Sequence, residues 1–109
     1  MKVKALVFDE HFIKNISNDL LNNLINLKEP IPMWIQSVVL DYFHDFNNQR
    51  LLLFGDDEEF IAKVREERLV SRKLPPVEAR EYHNDLALDF IKRHPEFAPF
   101  IKEVKYLDV

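Results

Sequence analysis

The sequence predicts a predominantly helical α+β fold, and three observations predict it. A single Gly in 109 residues leaves almost no position for the positive backbone angles that tight hairpins and bulges use. Apolar residues recur at three- and four-residue spacing over most of the chain, the period of an amphipathic helix. One stretch near the start, Lys2 to Phe8, alternates instead and reads as a strand. The arrangement expected is four to five helices around a central amphipathic helix over about 32–47. A small two- or three-stranded sheet accompanies it, from about 2–8, 50–54 and, in one reading of the end, 103–108. A chain of this length holds one core, so residues 1–109 are expected to form one globular domain.

Taken in order, Lys2-Val-Lys-Ala-Leu-Val-Phe8 begins with charged and apolar residues on opposite faces and ends fully apolar, as a strand that runs from exposed to buried. Asp9-Glu10 stops it. The phrase Lys4-Ala-Leu-Val-Phe-Asp9 resembles the first strand of haloacid-dehalogenase-type phosphatases. Those carry a second Asp two residues after the first, and position 11 here is His. From Ser17 to Lys28, Leu20, Leu21, Leu24, Ile25 and Leu27 share a face opposite Asn18, Asp19, Asn22, Asn23 and Asn26. Ser17 or Asn18 is the expected cap. One longer helix beginning at Asp9 is the alternative. The strand followed by Phe12, Lys14 and Ile16 is faintly similar to RelE-type toxins, but the downstream pattern does not continue.

Glu29-Pro-Ile-Pro32 breaks this helix, because proline disfavours helical geometry at the residue before it. Pro32 is predicted to open the central helix. Trp34, Ile35, Val38, Val39, Tyr42, Phe43 and Phe46 cover about half its circumference, which requires packing partners on two sides. The strand at 3–8 and a helix at 76–93 are the expected partners. Arg50-Leu-Leu-Leu-Phe-Gly55 is predicted as a short strand pairing with residues 3–8. Asp56 and Glu59 have capping-box spacing at the start of the next helix. In that helix Phe60, Ile61 and Val64 form the inner stripe. Leu69 to Leu74 is predicted as a loop. Pro75-Pro76 then starts a helix that runs to about Arg93. It has one apolar stripe of Ala79, Tyr82, His83, Leu86 and Phe90, and a second, nearly opposite, of Val77, Leu88 and Ile91. From Pro95 a short helix to about residue 102 and then an extended end is the preferred reading.

Composition narrows the chemistry. With no Cys, disulfides, thiolate catalysis and cysteine-ligated metal centres drop out. An isolated Gly55 cannot make a phosphate-binding glycine loop. A net charge of −4 argues against nucleic acid, whose phosphates demand excess Lys and Arg. The apolar run at the start is too short for a signal peptide. No window reaches the about 20 apolar residues of a membrane span. The chain is therefore expected to be cytoplasmic, with no membrane partner.

Four groups of residues are site candidates. His44-Asp45, with Asp41 three residues before the histidine, shares one side of the central helix, and His83 lies on a later one. This pair resembles that of HD-type phosphohydrolases, which bind divalent metals through N and O ligands. The resemblance implies a metal-dependent hydrolase using His44 and Asp45. Arg65, Arg68 and Arg72, with Lys73, form the one basic concentration. It is read first as a solvated helix face diluted by Glu66 and Glu67, second as a contact for an anion or an acidic partner, and last as a nucleic-acid contact over Arg65–Lys73. Trp34, at a helix start after a proline turn, is a candidate interface anchor. Val77, Leu88 and Ile91 offer a face for another subunit. The leading expectation is a non-enzymatic protein-interaction module, of adaptor, inhibitor, immunity or regulatory type, with no cofactor. Its partners are another protein and, through the second stripe, a further copy of itself.

Overall fold

The computed structural model describes residues 2–27, 29, 31–40 and 58–108. Its elements are β1 (Lys2–Phe8), α1 (Glu10–Lys14), α2 (Asn18–Ile25), α3 (Met33–Leu40), α4 (Glu58–Arg72), α5 (Pro76–Arg93), a 3-10 helix (Pro95–Phe100) and β2 (Ile101–Asp108). The fold is α+β and mostly helical, with one small antiparallel sheet. The second half of the expected central helix, 41–47, and the expected strand at 50–54 lie outside the described residues.

The two ends of the chain make the sheet. β1 pairs antiparallel with β2, from Lys2 opposite Asp108 to Val7 opposite Glu103, and an irregularity at Val7/Phe8 sets Phe8 opposite Ile101. Residues 101–108 are thus extended, and the stretch before them is a 3-10 helix that ends at Phe100. Two prolines, Pro95 and Pro99, withhold backbone donors there, so an α-helix cannot propagate. The Asp9 amide donates to the Phe100 carbonyl at 2.8 Å, which ties the end of β1 to the start of β2.

Residues 9–27 fold as two short helices rather than one. Asp9 caps α1 by accepting from the Phe12 amide at 2.9 Å. Ser17 caps α2 by accepting from the Leu20 amide at 3.2 Å. Each cap satisfies an amide that has no partner within its own helix. Helix α3 begins directly after Pro32.

Helix α4 continues to Arg72, so the loop expected over 69–74 is a correction. No Gly or Pro interrupts Leu69 to Leu74. The helix stops only where Leu74 precedes Pro75 and is pushed out of helical geometry. Ser71 keeps the last turn closed by donating its hydroxyl to the Arg68 carbonyl. Helix α5 spans Pro76–Arg93 with Pro76 in its first turn.

The core joins α1, α2, α3, α5 and the 3-10 helix. Ile13, Leu24, Ile35, Val39, Phe90, Phe97 and Phe100 are wholly excluded from water. Phe90 stacks on Phe97 with ring centres 5.8 Å apart, and Phe97 meets Phe100 at 5.6 Å. Leu6 and Phe8 of β1, with Trp34 and Val38 of α3, pack against this cluster from its edge. The described part of α3 therefore uses the predicted stripe, with Ile35 and Val39 innermost. It packs on α5, one of its two expected partners.

Candidate functional site

The polar residues that matter most converge where α3, α4 and α5 meet. Glu67, on α4, is buried, and so are His83 and Asn84 on α5. The His83 Nδ1 lies 2.9 Å from Glu67 Oε1. The same carboxylate accepts from the Met33 amide, at 3.2 and 3.3 Å to its two oxygens. That amide belongs to the first turn of α3, where a helix lacks internal acceptors and carries partial positive charge. Glu67 thus caps a helix that begins 34 residues earlier in the chain. The Trp34 ring lies against His83 with centres 4.6 Å apart, and its indole Nε1 donates to Asn84 Oδ1 at 2.9 Å. Asn84 Nδ2 in turn donates to the Lys4 carbonyl at 2.7 Å.

This chain of contacts continues into the sheet. The Lys4 amide donates to Glu81 at 2.7 Å, and its Nζ lies 2.5 Å from Asp85. The hydrogen bond that its ammonium donates to Asp85 raises Lys4 above its usual value of 10.5; desolvation opposes this, while the charges of Asp85 and Glu81, with Tyr106, add to it. Burial likewise raises the Tyr82 phenol above 10.0, with Glu67 and Glu66 adding to the effect. No described buried side-chain nitrogen or oxygen is left without a partner.

Two clefts flank this network. The larger, of about 570 Å³, lies between β1 and helices α3 and α5, and its walls include Leu6, Phe8, Trp34, Val38, Arg80 and Asn84. The smaller, of about 400 Å³, is lined by Glu29, Pro32, Glu66, Glu67, Tyr82, Leu86 and Arg93. His83 lines neither cleft. The His83–Glu67 pair has the distance of a histidine oriented by a carboxylate. Its evident effect here is to join three helices.

The structure distributes the candidates read from sequence as follows. Trp34 is half-buried and serves both the core edge and the wall of the larger cleft. Arg65, Arg68 and Arg72 are exposed along α4, and none enters an ion pair among the described residues. Ile91 packs against the core, while Val77 and Leu88 are half-buried. His44, Asp45 and Asp41 lie outside the described residues. His83 is held by Glu67, whereas Asp85 pairs with Lys4 and Asp89 with Arg93. No cluster of three or more His, Asp or Glu suited to a metal ion occurs among the described residues.

Glu67 is a correction, because it is a buried cap and not part of a solvated face. Its spacing in the sequence points to this, since seven and three residues after Phe60 and Val64 is the period of the apolar stripe expected there. Asn84 similarly stands three residues before Ala87 and seven before Ile91. No helix among the described residues is long and apolar enough to cross a membrane. No family model, curated protein or solved structure matches the chain.

Proposed function

We propose that the chain is a small protein-interaction module of the adaptor, inhibitor, immunity or regulatory type, and that the larger cleft receives its partner. One observation carries this reading. Trp34 stands in the cleft wall with its indole fixed at both ends, by the hydrogen bond to Asn84 and by the packing on His83. A large aromatic held rigid before binding loses little conformational freedom on association, and such residues anchor protein interfaces. Leu6, Phe8 and Val38 add apolar surface, while Glu10 and Arg80, both exposed, add one charge of each sign to the lining. This is the composition of an interface pocket that admits a partner's side chain.

Capture with the purified chain as bait, read by mass spectrometry, tests the reading. Ser37 lines the cleft and is exposed, so Ser37→Arg fills the cleft without disturbing the core. A protein held by the unmodified chain and lost with Ser37→Arg is the expected result. Equal capture by both overturns the cleft as the site. A divalent cation that raises the melting temperature, with the effect lost in His44→Ala, would favour the metal-dependent hydrolase instead.

A further inference from the structure

Among the described residues, none pairs with the outer edge of β2. Only Ile101 and Val104 of this strand are even half-buried, and Tyr106 and Leu107 are 64% and 46% exposed. The direction of its backbone groups follows from β1. Lys4 turns its amide and carbonyl toward Glu81 and Asn84 on α5, so both point away from β2. Lys4 stands opposite Tyr106, and opposed residues in an antiparallel pair either exchange their backbone bonds or both turn them outward. Tyr106 therefore turns its N–H and C=O to the side away from β1, and so does Val104, two residues away. No described residue hydrogen-bonds these groups. An exposed strand edge of this kind is a template for another strand.

We propose that β2 pairs antiparallel with β2 of a second copy of this chain, about a two-fold axis at Val104. The proposal deepens the interaction reading by naming one partner, and it rests on that reading only in treating the chain as a binding module; the cleft plays no part in it. Charge selects both the occupant and the register. With the axis at Val104, Glu103 of each copy faces Lys105 of the other, twice. These are positions whose own backbone groups are used by β1, so across the new pair they are non-hydrogen-bonded and their side chains come closest. Within one chain Lys105 already lies 3.7 Å from Glu103, so the dimer closes four alternating charges on one face. An axis at Lys105 sets lysine against lysine, and an axis at Tyr106 leaves both charges unmatched. The axis at Val104 also brings Tyr106 opposite Lys102. The two small sheets become one of four strands, and two-stranded sheets are marginal by themselves. Strand pairing alone covers less than a standard interface, so the dimer is reversible and concentration-dependent.

Sedimentation equilibrium on the full chain over a concentration series tests this. The expected result is a reversible doubling of the 13.1 kDa mass. Glu103→Lys alone and Lys105→Glu alone each weaken the dimer about tenfold or more, through like charges at two opposed pairs. The double variant Glu103→Lys/Lys105→Glu restores it. A monomer at every concentration overturns the proposal. So does a dimer indifferent to the single changes, or a double variant no better than either single one. Because the chain has no cysteine, a second readout is clean. Glu103→Cys chains mixed with Lys105→Cys chains cross-link to each other in preference to themselves, since opposed residues stand about 4.5 Å apart, within disulfide reach. Equal self- and cross-linking overturns the register. None of these outcomes depends on Ser37 or on any captured protein, so the cleft and the strand edge fail separately.

Discussion

At the residue scale, Glu67 shows how one buried charge can be held. A carboxylate taken out of water costs several kcal/mol unless its oxygens find donors. Here the Met33 amide and the His83 ring supply them, and the amide end of α3 adds favourable potential. Removing the carboxylate leaves the buried His83 ring and the part-buried Met33 amide without this partner. Glu67→Ala is therefore expected to destabilise the fold by about 1–3 kcal/mol, measured as a lower urea midpoint. Exposed Glu66→Ala serves as the control, with an expected change within about 0.5 kcal/mol. Equal effects from the two would remove Glu67 from this role. The burial of Glu67 was visible in sequence only through its spacing from Phe60 and Val64. The neighbouring Arg65, Arg68 and Arg72 draw the eye to a solvated face, and a helix presents both faces within the same four residues.

At the element scale, helix starts were the most legible feature. Ser17 precedes an apolar period, and Pro75-Pro76 precedes another; Ser17 marks a helix start because its hydroxyl accepts from a first-turn amide, and the prolines because they lack an amide hydrogen and preset the backbone angle. Ser17→Ala is expected to cost about 0.5–2 kcal/mol, with Ser17→Asp close to the unmodified chain. Thermal melting checks this, and an unchanged Ser17→Ala would mean that α2 is held by packing alone. Helix ends were less legible. The end of α4 was placed too early, since Leu69 to Leu74 is apolar and charged without a breaker. The strand at 101–108 competed in sequence with a helix, because Phe97, Phe100, Ile101 and Val104 fit both periods over so short a span. What decided it was β1, whose strand partner among the described residues lies 93 and more positions away.

At the scale of the whole molecule, the network from Lys4 through Asn84, Trp34, His83 and Glu67 links sheet to helices, and its titration is a global property. Lys4 and Tyr82 both have folded-state values raised above the ordinary ones. Each therefore favours the protonated form when folded. Their stabilising effect is complete below the ordinary values of 10.5 and 10.0 and is lost as pH rises through the raised ones. Urea midpoints taken from about pH 9 upward are expected to fall with increasing pH. Tyr82→Phe should make that fall shallower, since phenylalanine cannot ionise. An identical alkaline slope in the variant would show that Tyr82 is not part of it.

The sequence by itself determined the class of this protein. Scarce glycine, helical spacing and one alternating segment are local properties, and each constrains the backbone within a few residues of itself. They sufficed for a mostly helical α+β chain, for β1, for the starts of α2 and α5, and for the apolar face of α3. The tertiary structure alone decided which distant groups meet. Glu67 caps a helix from another part of the chain, Asn84 bridges Trp34 to the first strand, and Ile101–Asp108 completes the sheet begun by Lys2–Phe8. These contacts depend on how the elements pack, and side-chain periodicity records which face is buried without recording what that face will touch.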